Sequence, residues 1–288
     1  MRRIMFIRLV ALLAGCLVQC ACATFDVRLA DFMSPDRSPR SATLPQGYAV
    51  QDLIIHWGDR LIGVTHAHHP QSRSVLIFCG GDVFHRSLEG GAALEALALG
   101  PDVILFDYPG YGETTGTPTV GSILDTALAV YDYASALETS AGKKRVLYGF
   151  SLGGLVAAQV ARERPADGVV LEATAATAEA WVRSQIPWIA RPLITPQVEP
   201  GLAGIDSVRA LSRFSGRVLV LASPADRQAP AKLSADIERR LRAARVRVQL
   251  VTFPRARHGD INQSARFAPV LRAFLDHLQE SSWPSARD

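Results

Sequence analysis

The sequence predicts an α/β fold, with a mostly parallel central sheet of about eight strands and helices on both faces. Short apolar runs alternate with amphipathic stretches from Ser74 onward, which is typical of repeating strand and helix units. In runs such as Ser74–Phe78 successive residues are apolar, as expected for strands that are buried on both faces. The composition agrees, because 48% of the 288 residues are hydrophobic and 20% are charged, which excludes a disordered or fibrous chain.

The apolar runs and helical periodicity place the individual elements. Strands are predicted at Gln51–Trp57, Leu61–His66, Ser74–Cys79, Val103–Asp107, Arg145–Tyr148, Gly168–Leu171, Arg217–Leu221 and Arg247–Phe253. Helices are predicted at Gly91–Leu99, Val120–Leu137, Leu152–Glu163, Pro230–Ala244 and Arg266–Gln279. Between residues 173 and 207 the alternation stops. This insert is predicted to be helical at most in part, and to be a cap over an acyl pocket, a lipid contact or a packed crossover.

The N-terminus is predicted to be an export signal. Arg2, Arg3 and Arg8 precede a short apolar stretch that ends at small residues, and this is the pattern of a secretory signal peptide. Leu13–Cys16 (L-A-G-C) resembles the lipobox of bacterial lipoproteins, which implies cleavage before Cys16 and lipid on that cysteine. An ordinary signal peptide is the alternative. By the same resemblance, Leu17 after the cysteine implies the outer membrane, facing the periplasm, in a cell with two membranes.

The predicted domain limits follow from this signal. Residues 1–15 are the signal peptide, residues 16–47 are a lipidated N-terminus and a flexible tether rich in Pro, Ser and Arg, and residues 48–282 are one folded domain. Cleavage would remove three of the 31 basic residues and leave 28 against 27 acidic ones. Because the chain would then be close to neutral, a nucleic-acid partner is not expected.

Cysteines and histidines outside the candidate site point to no further chemistry. Cys20, Cys22 and Cys79 are expected to be unpaired or buried thiols, although a Cys22–Cys79 disulfide is possible in an oxidising compartment. His66, His68 and His69 crowd the end of a predicted strand, where neighbouring residues alternate faces, so a solvated strand end is expected rather than a metal site.

The motif G-F-S-L-G over Gly149–Gly153 carries the candidate nucleophile. It follows a predicted strand and opens a predicted helix, which is the setting that a G-x-S-x-G nucleophile elbow requires. The turn is sharp, and the two glycines let neighbouring backbone pass close to it. Ser151 is therefore the predicted nucleophile.

A serine hydroxyl needs a base, and the base needs an orienting acid, in the chain order Ser, acid, His. Downstream of Ser151 the histidines are His258, in a loop after a predicted strand, and His277, inside the last helix. Asp226 lies just past another strand, and Asp260 is the weaker acid candidate because it is better placed to cap a helix. We expect His258 as the base and Asp226 as its partner.

Backbone N–H groups must bind the oxyanion of an acyl-transfer reaction. One is expected from Leu152, directly after the nucleophile, and the other from the loop after the strand Ser74–Cys79. Gly81 is the predicted donor in that loop, with Asp82 as the alternative.

With these motifs the chain resembles the serine hydrolases of the α/β-hydrolase superfamily over about residues 50–280. The segment Phe106–Gly112 (F-D-Y-P-G-Y-G) is similar to the subgroup that contains serine aminopeptidases and abhydrolase-domain lipases and thioesterases. Such relatives usually carry His-Gly before the oxyanion donor, whereas this chain has Cys79 and Gly80, and then Asp82 after the donor. A carboxylate there would oppose an oxyanion unless it points away.

The resemblance and the residues together imply a lipid-anchored serine hydrolase that cleaves a carboxylic ester or thioester of a small molecule or lipid through an acyl-enzyme. The reaction requires no cofactor and no metal. The alternatives are a peptidase or amidase of the same fold, and a non-catalytic envelope lipoprotein that uses the fold as a binding scaffold. The oligomeric state is left open.

Overall fold

The computed structural model describes residues 23–33 and 46–280. Its main sheet has eight strands in the order β10-β9-β7-β6-β4-β5-β3-β2. The strands are β2 (Ala49–Trp57), β3 (Arg60–His68), β4 (Ser74–Cys79), β5 (Asp102–Phe106), β6 (Lys144–Phe150), β7 (Gly168–Glu172), β9 (Arg217–Ala222) and β10 (Arg247–Thr252). From β10 to β5 all neighbours are parallel, whereas β3 pairs antiparallel with both β5 and β2. The predicted strands are therefore confirmed to within a few residues.

Helices cover both faces of this sheet. The helices are α1 (Arg86–Leu97), α2 (Val120–Ala136), α3 (Leu152–Glu163), α4 (Ala178–Gln185), α5 (Pro200–Ala203), α6 (Ser207–Leu211), α7 (Ala231–Ala243) and α8 (Phe267–His277). Along β4 the side chains alternate between two separate apolar clusters: Ile77 packs with α2, α3 and α7, and Leu76 packs with α1 and α8. The predicted mostly parallel sheet between two helical layers is confirmed.

Helix α1 begins earlier than predicted, at Arg86 rather than Gly91. Polar contacts hold its first turn: the Arg86 N–H donates to Asp107 Oδ1 at 2.7 Å, and the His85 N–H donates to Glu89 Oε2 at 2.8 Å. Because apolar periodicity does not report such contacts, the sequence pattern began one turn too late.

The prediction of a flexible tether is wrong for residues 23–33. Strand β1 (Ala23–Val27) pairs in parallel with β8 (Ile194–Val198) of the insert, and a short 3-10 turn follows at Leu29–Asp31. Val27, Leu29 and Met33 are buried, so burial of their side chains stabilises this segment on the domain. Strand pairing between residues so distant in the chain leaves no local pattern. The predicted signal peptide, Cys16, Cys20 and Cys22 lie outside the described residues.

The insert at residues 173–207 contains α4, β8 and α5, so it is helical in part, as expected. None of the helices in the described part of the chain is long and apolar enough to cross a membrane.

Candidate active site

Ser151 lies in a strained turn between β6 and α3. Its φ of +54° is in a region that residues other than glycine rarely adopt, and the close contacts around the turn hold it there. A Cβ on Gly149 would lie 2.3 Å from the Gly153 carbonyl oxygen, and a Cβ on Gly153 would lie 1.9 Å from the Cys79 carbonyl oxygen. Both glycines of the motif are therefore required by backbone packing, as their spacing around Ser151 predicts.

His258 and Asp226 converge on Ser151 as expected from their positions after β10 and β9. His258 Nε2 lies 3.1 Å from Ser151 Oγ, and His258 Nδ1 lies 2.8 Å from Asp226 Oδ2. The Asp226 side chain is 1% exposed, and its other oxygen accepts N–H groups of Gln228 and Ala229 at 2.7 and 2.9 Å. This order of contacts lets Asp226 orient the ring and lets the ring accept the serine proton.

The weaker sequence candidates lie outside this arrangement. Asp260 lies 3.5 Å from Arg257 and precedes a 3-10 turn, which it does not cap with its side chain. His277 Nδ1 lies 3.0 Å from Glu280 on the surface of α8. The acid that contacts His258 Nδ1 is Asp226, and the histidine that contacts Ser151 Oγ is His258.

Two contacts that the sequence did not suggest hold the histidine loop. The Phe150 ring lies 5.0 Å from the His258 ring, and the Ser223 hydroxyl donates to the Ala256 carbonyl at 2.5 Å. Because Ser223 lies in the loop that carries Asp226, this hydrogen bond joins the acid loop to the histidine loop. An apolar strand end followed by Ser-Pro is too common a pattern to have indicated this role.

The predicted oxyanion donors lie beside the nucleophile. Leu152 is the first residue of α3, so its N–H has no acceptor within the helix. Gly81 is so close to Ser151 that a Cβ on this glycine would lie 3.5 Å from the Ser151 Cβ. Both amides are thus placed near the point where an oxyanion would form.

Asp82 introduces a carboxyl group next to this position. Burial raises its pKa, while the backbone N–H groups of Asp82 and Val83 and the electrostatic effect of nearby His258 act in the opposite direction. The Asp82 carboxyl is therefore close enough to the site to interact electrostatically with His258. This arrangement agrees with the concern that an acid here opposes an oxyanion.

Glu172 is a second buried acid near the site, and the sequence analysis missed it. It ends β7 between β6 and β9, and it accepts a hydrogen bond from the Tyr148 hydroxyl at 2.5 Å. Burial raises the pKa of Glu172 to about 7, with a further upward contribution from Asp226, while Tyr148 and His258 lower it. The sequence signal that could have indicated Glu172 is its place as an acid at the carboxyl end of an otherwise apolar run, which is the buried strand β7.

An apolar pocket adjoins the nucleophile on the side of α3. Leu152 and Leu29 both line it, together with residues of α2, α5 and the loop that follows α5. The remaining lining residues are Val120, Ile123, Leu124, Leu155, Val156, Leu202 and Ile205. The pocket is small, about 20 Å³, and part of its lining comes from the N-terminal segment.

The histidine cluster on β3 is packed rather than solvated, which corrects the expectation for His66. His66 and His68 are two residues apart and share a face, and with Asp102 they bring ligand atoms within 4.8 Å of one another. The Asp102 carboxylate already binds Lys143 Nζ at 2.7 Å and lies 3.1 Å from His68 Nδ1. Asp102 begins β5, whereas Ser151 follows the carboxyl end of β6, so the histidine cluster lies at the opposite end of the strands from Ser151.

Cys79 is a free, buried thiol, and burial raises its pKa to about 12.

The raised pKa of Glu172 predicts a specific dependence of stability on pH. Between its ordinary value of 4.5 and about 7 the folded protein keeps a proton that the unfolded chain releases, so stability falls as pH rises through this window. The loss is roughly 3 kcal/mol and is complete above pH 7. Glu172→Gln should remove this component when urea unfolding is compared at about pH 5 and about pH 8. The exposed Glu163→Gln is the control, and an unchanged pH dependence in Glu172→Gln would contradict the assignment.

Known proteins resemble this chain both in sequence and in fold. A model of the α/β hydrolase family matches residues 75–213. An uncharacterized protein of Mycobacterium tuberculosis is 29% identical over 223 residues, which are 76% of this chain and 75% of that protein. The lysophosphatidylserine lipase ABHD12 of Mus musculus is 36% identical over 80 residues, 26% of this chain and 20% of the lipase.

The solved structure of the Pyrococcus furiosus esterase Pf2001 has the same fold, with a TM-score of 0.66 at 17% identity over 85% of this chain and 98% of the esterase. The chain therefore has the α/β-hydrolase fold, and its residues 75–213 match the α/β hydrolase family.

Proposed function

We propose that this protein is a serine hydrolase that cleaves a carboxylic ester, or a thioester, through an acyl-enzyme. The observation that carries the proposal is the continuous line of contacts from Ser151 Oγ through His258 to Asp226, at 3.1 and 2.8 Å. The esterase and the lipase among the compared proteins support this class of reaction.

The proposed mechanism follows from the positions of these groups. His258 Nε2 accepts the hydroxyl proton as Ser151 Oγ attacks the substrate carbonyl carbon, and Asp226 stabilises the imidazolium that forms. The N–H groups of Leu152 and Gly81 bind the oxyanion. His258 then gives its proton to the leaving group, which departs and leaves the acyl-serine. In the second half of the reaction the same imidazole takes a proton from water, the resulting hydroxide attacks the acyl carbon, and His258 returns the proton to Ser151 Oγ as the acid product leaves.

The nucleophile is tested by covalent labelling. A fluorophosphonate probe should label the wild-type protein, and Ser151→Ala should abolish labelling because the attacking oxygen is gone. Ser212→Ala is the control, since that hydroxyl donates to the Arg209 carbonyl after α6 and lies outside the proposed reaction. Mass spectrometry of the labelled peptide checks the site, and labelling that persists in Ser151→Ala would sink the assignment.

A second prediction concerns the charge beside the oxyanion position. Asp82→Asn removes a negative charge that opposes the transition state, so kcat for a p-nitrophenyl ester should rise by about three- to tenfold. The gain should be largest at alkaline pH, where the wild-type carboxyl is ionised in spite of its raised pKa. Asp260→Asn is the matched control. A fall in kcat of the Asp82 variant would instead mean that this carboxyl assists the reaction.

We further propose that the protein is anchored in the cell envelope by lipid on Cys16. The support is the match of Leu13–Cys16 to a lipobox directly after a basic and then apolar stretch. Several acyl chains on one residue would hold the protein firmly, because a single chain binds a bilayer only marginally.

Metabolic labelling tests the anchor. In a bacterial host fed an alkyne fatty acid, the protein should carry the label and move into the detergent phase on extraction. Cys16→Ser should lose the label, whereas Cys20→Ser should keep it. Equal labelling of both variants would reject lipidation at Cys16.

A further inference from the structure

Three large apolar side chains of the insert are exposed to solvent. Trp188, Ile189 and Leu193 are 78%, 69% and 59% exposed, and we call these three residues the cap face. They are close in sequence, in the segment between α4 and β8. Clustered exposure of this kind is unusual on a soluble surface and marks a contact with another apolar body.

The cap face directly follows α4, which contacts the loop that carries Asp226. Just before it, the Trp181 indole N–H and the Gln185 side-chain amide both donate to the Gln228 carbonyl, at 2.7 and 2.9 Å. The Gln228 N–H in turn donates to Asp226 Oδ1 at 2.7 Å. The cap therefore rests directly on the loop that holds the acid, at the edge of the sheet where Ser151 lies.

The N-terminal segment enters the domain at this same place. Ala23 pairs with Ile194, which directly follows Leu193 of the cap face. Cys16 precedes Ala23 by seven residues. Seven extended residues reach at most about 25 Å, so a lipid on Cys16 would hold the cap face within that distance of a bilayer.

The charge of this region also suits a lipid surface. From Ile186 to Val198 the single charged residue is Arg191, and it is basic and exposed. Its Nε donates to the Ile186 carbonyl at 3.1 Å. The cap face thus combines one aromatic and two aliphatic side chains with the nearby guanidinium of Arg191. Such a combination of apolar and basic groups favours binding at the interface of an anionic membrane.

We propose that the cap face docks into the membrane interface, so that the active site opens toward the bilayer and takes its acyl substrates from membrane lipids. The substrate part of this proposal rests on the proposed serine hydrolase function, whereas the docking part rests on the cap face and on the proposed lipid on Cys16. A second copy of the chain is the competing occupant of the cap face.

Depth-dependent quenching tests the docking. The full-length protein is bound to vesicles of phosphatidylethanolamine and phosphatidylglycerol that contain brominated lipid, which quenches tryptophan fluorescence on contact. We expect quenching in the wild-type protein, loss of most of it in Trp188→Phe and retention of it in Trp57→Phe. Trp57 is the matched control because it is 45% exposed and lies in β2, the edge strand of the sheet. Equal quenching in both variants would overturn the docking.

Kinetics test the substrate class. The double variant Trp188→Ser and Ile189→Ser should hydrolyse a long-chain ester embedded in these vesicles about tenfold more slowly, because less apolar area is buried in the membrane. Its rate on soluble p-nitrophenyl butyrate should equal that of the wild-type protein and of Trp57→Ser. Equal slowing on both substrates would overturn membrane delivery.

The two proposals fail in different ways. If the wild-type protein does not hydrolyse the soluble ester, the hydrolase proposal and the substrate class fall, and the quenching result still decides the docking. If the soluble ester is hydrolysed but Trp188 is not quenched, the docking falls and the hydrolase stands. A dimer in sedimentation that Trp188→Ser dissociates would show that a second copy covers the cap face, and would overturn the proposal.

Discussion

The close approach of α3 to the strands beneath it is the constraint on which the rest of the site depends. Gly153 is packed against the Cys79 carbonyl, and Gly149 against the Gly153 carbonyl, at distances that leave no room for a Cβ. Ser151 between them has a φ of +54°, and the packing of β4, β6 and α3 holds this costly conformation. The serine hydroxyl is thereby aimed away from the sheet, toward the loops after β9 and β10. The same contact places the Leu152 and Gly81 amides beside it.

A second constraint is the burial of carboxyl groups around that serine. Asp226 accepts hydrogen bonds from two backbone amides with one oxygen, and its other oxygen lies 2.8 Å from His258 Nδ1. Glu172 lies nearby with Tyr148 as its hydrogen-bonding partner, and its pKa of about 7 shows that burial outweighs that partner. The two buried acids thus have separate environments: Asp226 faces backbone amides and His258, whereas burial favours the protonated form of Glu172.

The insert and the N-terminal segment tie the proposed catalytic and membrane roles to one part of the molecule. β1 pairs with β8, α4 contacts the Asp226 loop through Gln228, and the cap face lies between these two attachments. Leu29 of the N-terminal segment also lines the apolar pocket next to Leu152. The N-terminal segment therefore contacts both the insert and a residue directly after Ser151.

The sequence by itself determined the sheet, the two helical layers, and the positions of Ser151, Asp226 and His258. These features leave local patterns: apolar periodicity, a glycine-spaced turn and acid and histidine residues just past strand ends. Only the tertiary structure decided that residues 23–33 join the domain through β8, that Glu172 is buried next to the site, and that His66 packs with His68 and Asp102. The physical reason is that such contacts join residues distant in the chain, and their energies depend on burial and on neighbours that no local pattern specifies.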